Sequence, residues 1–250
     1  MEKRTFTYLV LVIVLLASMS CMAINLPQVS RVRGSGNMIT ENKEVSGFTR
    51  LALGSIGALT LVQGEEESLV IEAEDNIMPL ITVEVRDDTL FIGLEETAFK
   101  NVVPTKDIKY RLTMKKITGL EVSGAADITA DTVNSGELAI ESSGAGTMKI
   151  RNLTADKLNV EVSGAGNVEI ESGVVPVQEI HLSGAGSYDS SGVESVEAKV
   201  DISGAGNATV WVKDKLQVEM SGAGNLEYYG TPEMVANVSG AGKMKSLGEK

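Results

Sequence analysis

Ser163-Gly164-Ala165-Gly166-Asn167 decides the fold, because close copies of it recur through the second half of the chain. The copies begin at Ser123, Ser143, Ser163, Ser183, Ser203, Ser221 and Ser239, at successive spacings of 20, 20, 20, 20, 18 and 18 residues. One short motif at a nearly fixed period marks a solenoid, in which each unit buries its apolar face only against its neighbours. From Leu158 to Ile170 every even position is apolar or Gly and nearly every odd one polar, which is the period of a strand. All the spacings are even, so the same parity carries Val122, Ile128, Ile140, Met148, Leu182, Ile202, Val210, Val218, Met220, Leu226, Val238 and Met244 inward. The motif glycines are read as corners that exploit positive φ: Gly124, Gly144, Gly146, Gly164, Gly166, Gly184, Gly186, Gly204, Gly206, Gly222, Gly224, Gly240 and Gly242. The fold class is all-β, a single-stranded parallel β-helix whose coils stack roughly 4.8 Å apart.

Working outward, the 250 residues suit one elongated domain, and 43% apolar against 4% aromatic content predicts a core of Val, Ile, Leu and Met. A net charge of -12 with scattered Lys and Arg argues against a nucleic-acid partner. It gives no reason to expect adhesion to anionic lipid. Residues 1–23 read as a targeting segment: Lys3 and Arg4, an apolar run from Phe6 to Ala17, then small Ser18, Ser20 and Ala23. Three outcomes stay open. Cys21 sits where a lipoprotein would be cut and acylated, although Ser18 replaces the usual Leu of a lipobox; cleavage near Ala23 would release a soluble chain; Phe6 to Ile24 retained could just span a bilayer. In every case the chain is exported, and membrane contact is limited to that lipid or anchor. A single cysteine leaves no internal disulfide.

Residues 24–44 read as a polar tether and 45–250 as the solenoid, with 45–119 as degenerate coils plus a cap and 120–250 as regular repeats. Leu51, Leu53, Leu59 and Leu61 share one parity across a bend at Gly54 and Gly57. Further strands are expected at Leu69 to Ala73, Ile81 to Val85, Thr89 to Leu94 and Lys109 to Met114, with at most one helical turn near Pro79. Ala98 to Asp107 is expected to cover an open edge.

Stacking turns equivalent positions into rows. Two residues before each motif serine stand Glu121, Glu141, Glu161, His181, Asp201, Glu219 and Asn237. This outward row reads as a solvated face, or as weak calcium binding between coils with Glu141 and Glu161 as the first pair. Four residues after each serine stand Asp127, Thr147, Asn167, Ser187, Asn207, Asn225 and Lys243, a row able to hydrogen-bond along the axis. Ser-Gly-Ala-Gly-Asn lacks the first Gly and the Asp of the calcium-binding nonapeptide.

Catalytic machinery is not legible. His181 is the only histidine, no His or Cys cluster offers a transition-metal site, and Gly166-Asn167-Val168 continues a strand where a dinucleotide fingerprint would open a helix. A polysaccharide-lyase reading would need a base such as Lys149 or Lys157, named only by charge. Trp211, Tyr228 and Tyr229 are read as closing the core at the C-terminal end.

Gly47-Phe48, Leu59-Thr60-Leu61-Val62-Gln63-Gly64, Ile71-Glu72-Ala73-Glu74-Asp75-Asn76, the serial Ser-Gly-Ala-Gly motifs and Tyr228-Tyr229-Gly230-Thr231-Pro232 together resemble the putative auto-transporter adhesin, head GIN domain family. The resemblance spans about Val45 to Lys250 and implies a right-handed parallel β-helix in an exported envelope protein, periplasmic or at the surface. It brings no catalytic residues. The expected function is a binding or structural module with an envelope glycan or protein as partner, and with self-association through open strand edges; a carbohydrate-active enzyme on the same scaffold is the alternative. No cofactor is expected apart from the calcium reading.

Overall fold

The structure is a computed structural model that describes residues 31–95 and 101–250. The leader, including Cys21, lies outside the described residues. Among the described residues no helix is long and apolar enough to cross a membrane. Val32–Lys250 forms one compact unit, built as a parallel β-solenoid of about six turns.

The strands before the repeats are β1 (Val32–Arg33), β2 (Met38–Lys43), β3 (Arg50–Gly54), β4 (Ile56–Gln63), β5 (Ser68–Glu74), β6 (Ile81–Arg86), β7 (Thr89–Leu94), β8 (Val102–Val103) and β9 (Lys109–Met114). The repeats supply β10 (Gly119–Val122), β11 (Ala125–Ser142), β12 (Thr147–Val162), β13 (Asn167–Val174), β14 (Val177–Leu182), β15 (Ser187–Ile202), β16 (Asn207–Met220), β17 (Asn225–Tyr229), β18 (Glu233–Val238) and β19 (Lys243–Ser246). Coil-to-coil register reproduces the motif spacing: Glu141 pairs with Glu161 and Thr147 with Asn167, twenty apart, while Asn207 pairs with Asn225, eighteen apart. The change of period falls inside β15, where pairing with β16 is broken between Ser190 and Glu194.

Each repeat coil has three short faces. In β12 the first face runs from Thr147 to Ile150, the second follows Arg151 and Asn152, and the third runs from Lys157 to Val162. Arg151 and Asn152 both point outward, so the buried set moves from Met148 and Ile150 to Leu153 and Ala155, then returns to Leu158, Val160 and Val162. A single parity therefore holds on the first and third faces but not on the second, because two consecutive outward residues at a corner shift the alternation by one. Ten of the twelve positions expected inside are fully buried, Met244 is partly buried, and Val238 is 44% exposed because no coil lies above it.

The motif glycines do not adopt positive φ; the glycines that do include Gly57 and Gly230, outside the motif. What excludes a side chain is crowding. A Cβ on Gly164 would overlap the carbonyl oxygen of Gly144 one coil below. The close approach lets the ladder continue through the corner, with the Ala165 N–H donating to the Gly144 carbonyl at 3.0 Å and Ser163 to Ser142 at 2.9 Å.

Before the repeats, chain order and stacking order part company. β3 and β4 pair in parallel with β10 and β11 on one side and with β7 and β9 on the other, so the coil made first in sequence is the middle one of three. Antiparallel strands then close the end: β6 on β7, β5 on β9, and β2 on β5. Met38–Lys43 thus belongs to the sheet, and the tether reading gives way from Val32 onward. β8, within the stretch expected to cover the edge, pairs with β1. Pro79 lies in a single 3-10 turn, Met78–Leu80. Glu74 fastens this end: its buried carboxylate accepts from the Gly36 N–H (2.6 Å), the Thr105 N–H (2.8 Å) and the Thr105 hydroxyl (2.5 Å). Burial pushes its carboxyl up, but the bonds from Thr105, Gly36 and Lys106 together hold it below the ordinary carboxylate value.

Two tyrosines lie wholly inside. Tyr110 shares a 2.7 Å hydrogen bond with Ser55, and burial pushes its phenol up to about 12. Tyr188 donates to Gln178 at 2.6 Å, and Gln178 donates to Ser195, a satisfied polar cluster beside the change of period. Sequence alternation alone places these polar groups inward without revealing their pairing.

Candidate functional site: a gap in the third face

The first and third faces carry equally regular outward rows but settle them differently. On the first face neighbouring coils satisfy one another. Ser187 donates to Asn167 Oδ1 at 2.6 Å, Asn225 donates to Asn207 Oδ1 at 2.8 Å, and the Thr147 N–H donates to Asp127 at 2.8 Å, as the row reading anticipates. Next to that row, Lys149 bridges Glu171 (2.6 Å) and Glu169 (3.2 Å), and Lys245 meets Glu227 at 2.9 Å. Bonding to Glu171 and Glu169 raises the Lys149 ammonium's pKa, the opposite of what a proton-abstracting base needs.

The middle outward column of the third face reads, coil by coil, Arg50, Gly119, Ala139, Asn159, Glu179, Lys199, Gln217 and Val235. Gly119 and Ala139 leave two successive places without a substantial side chain. Three coil spacings separate Arg50 from Asn159, roughly 14 Å. The result is a hollow of about 400 Å³ lined by Arg50, Lys116, Thr118, Glu137, Ala139 and Asn159. Arg50 leans into it: a Cβ on Gly119 would lie 2.6 Å from the guanidinium carbon. A second hollow of about 290 Å³ shares Ala139 and Asn159 and reaches Glu141, Glu161, Glu179 and His181.

Asn159 stands between the two hollows with half its amide unmatched. Its Nδ2 donates to Glu137 Oε1 at 3.0 Å, while Oδ1 is buried and accepts no hydrogen bond. A buried acceptor without a donor costs about 1–3 kcal/mol, so this oxygen is an unsatisfied polar group in the wall between the two hollows, closed to solvent as the side chain stands. Of the residues named from sequence, Glu141, Glu161 and His181 line the second hollow. Glu121, Glu141, Glu161, His181, Asp201, Glu219 and Asn237 do form one continuous row. Glu141 and Glu161 are direct neighbours, but Glu141 is 3.3 Å from the Arg50 guanidinium. No group of three or more His, Cys, Asp or Glu placed to hold a metal occurs among the described residues. His181 lies between Glu179 (3.4 Å) and Asp201 (3.8 Å). Partial burial pushes Glu179's carboxyl up, but the His181 bond and the charges of Lys157 and Lys199 outweigh it and hold the carboxyl below its ordinary value. Sequence reasoning missed Arg50, Gly119, Ala139 and Asn159; the signal available was two small residues, twenty apart, in an outward column.

An all-β chain with a filled interior and outward rows that differ from face to face defines a repeat protein of the β-solenoid class. This chain belongs to the family described as "Putative auto-transporter adhesin, head GIN domain", whose model matches residues 47–232. A putative adhesin from Bacteroides fragilis is similar in structure, with 27% identity, a TM-score of 0.82 and coverage of 86% of this chain and 100% of that one. A putative adhesin from Parabacteroides merdae shares the fold at 20% identity, TM-score 0.69, covering 87% and 99% of the two chains. So does a putative lipid binding protein from Parabacteroides distasonis, at 17% identity, TM-score 0.70, covering 87% and 100%. No curated protein matches the chain.

Proposed function

We propose that this chain is a non-catalytic adhesion module, acting outside the cytoplasm at the cell envelope, that holds a glycan in the gap between Arg50 and Asn159. The observation that carries the reading is the polar hollow on which Arg50, Lys116, Glu137 and Asn159 converge. The Arg50 guanidinium and the Lys116 ammonium donate to ring and hydroxyl oxygens, and the Glu137 carboxylate accepts a further hydroxyl. Beyond the Arg50 guanidinium, which already reaches Glu141, the hollow of about 400 Å³ has room for a short saccharide.

A glycan array on the purified protein tests this, run with calcium and with chelator and repeated with Arg50→Ala. Binding to one glycan class that falls at least ten-fold in Arg50→Ala supports the reading. Dependence on calcium would add Glu141 and Glu161 as ligands. Binding that Arg50→Ala leaves intact, or none to any glycan, overturns it and moves the search to a protein partner.

A further inference from the structure

Trp211 and Tyr229, read from sequence as closing the core, lie on its outside. They are register partners on adjacent coils, one place beyond Val210 and Tyr228. Val210 is buried and Tyr228 packs against the core, so alternation sends Trp211 and Tyr229 to the solvent side, both half-buried. A cation already occupies the pair. The Lys250 ammonium stands 5.5 Å from the Trp211 ring centroid and 4.9 Å from that of Tyr229, and it donates a hydrogen bond to the Ser191 carbonyl oxygen.

The change of coil period builds the third side of this arrangement. Pairing between β15 and β16 stops at Ser190 and resumes at Glu194, which pairs with Trp211, leaving Ser191 to Val193 without partners on the next coil. The segment carrying Lys250 is anchored independently, by Leu247 N–H to the Tyr228 carbonyl (2.8 Å) and Gly230 N–H to the Gly248 carbonyl (2.9 Å). The ammonium can therefore leave without dissolving the coil.

Two π faces attract positive charge through their quadrupoles, and a carbonyl oxygen takes an N–H. We infer that Trp211, Tyr229 and the Ser191 carbonyl form a receptor for a primary alkylammonium group, the chemistry of a partner's lysine side chain, and that Lys250 is its resident, displaceable occupant. The carbonyl sets the preference for a primary over a quaternary ammonium, which has no N–H to donate. This site is separate from the gap on the third face and does not rest on the glycan reading.

Trp211 is the chain's only tryptophan, so its fluorescence reports the site without labelling. The experiment titrates n-butylammonium into the full chain at constant ionic strength, with Lys250→Met, Lys250→Met/Tyr229→Leu and tetramethylammonium as comparators, and with circular dichroism to verify folding. A saturable change in Lys250→Met is expected, at least ten-fold weaker in the unmodified chain, weaker with tetramethylammonium and lost in the folded double variant. Absence of a saturable change in Lys250→Met overturns the proposal. So does an equal response in the folded double variant, or a response to tetramethylammonium as strong as to butylammonium. If the double variant does not fold, Lys250→Met with Tyr229→Phe takes its place and is expected to retain binding, with loss overturning the π-face assignment.

Discussion

The first and third faces come from the same coils and the same period, yet one is closed upon itself and the other is not. On the first face Asn167, Ser187, Asn207 and Asn225 link in pairs, and Lys149 and Lys245 neutralise the carboxylates beside them. On the third, Gly119 and Ala139 open a gap, and Asn159 is left with an acceptor unmatched. Stacking makes rows everywhere; the proposed recognition site lies where a row is interrupted and the side chains leave a polar hollow.

The largest expected effect strikes what both faces share. Gly164→Ala puts a Cβ into the Gly144 carbonyl in mid-stack and is expected to cost about 3 kcal/mol in chemical denaturation. The same change at Gly240, in the last coil, should cost less, since nothing above prevents that coil from shifting. Equal losses would mean that the crowding argument fails.

Next in size is acid sensitivity at the closed end. Glu74's folded pKa lies below its ordinary value, so its contribution is complete above that value and is lost as pH falls through the folded one. Thermal melts from pH 7 to pH 3 should show Glu74→Gln less stable at neutral pH, with the deficit shrinking as acid protonates the wild-type carboxylate. A deficit that does not change with pH would remove Glu74 as the fastening group.

Ser142 gives a smaller and opposite effect. Its buried hydroxyl has no partner, while Val122 and Val162 occupy the same inward position on the flanking coils. Ser142→Val is expected to stabilise by about 1 kcal/mol in a denaturant titration. Destabilisation would show that the pocket is shaped for the smaller residue.

The least expected change is Lys149→Ala, on the closed face: a slight drop in Tm, diminished by salt, with glycan binding unaltered. Lys149's pKa is raised, so its contribution is full at neutral pH and fades only as pH rises through the folded value. Altered glycan binding in this variant would erase the distinction between the faces.

Much of the stack was legible in the sequence, because register follows from spacing: rows beginning at Glu121 and at Asp127 lie where counting by 20 and 18 puts them. The second face was not, since its parity turns on two adjacent outward residues, Arg151 and Asn152, which look like any polar pair. The early coils were legible as strands but not as a stack, because nothing in β3 or β7 says which lies nearer to β10. The positive-φ explanation of the motif glycines fails, as the sequence does not show which carbonyl of another coil stands over them. Trp211 and Tyr229 were placed by hydrophobicity when alternation from Val210 was the better guide. The candidate site itself escaped because it consists of missing side chains, Gly119 and Ala139, in a column two residues from the one that drew attention.

The measurement that bears most directly on the account is glycan binding by Ala139→Trp beside Thr209→Trp. Ala139 is outward and half-buried, so tryptophan fills the gap without entering the core, whereas Thr209 lies on the closed face. The account predicts that Ala139→Trp abolishes binding with Tm essentially unchanged and that Thr209→Trp binds like the unmodified protein. Binding that survives a filled gap would contradict it.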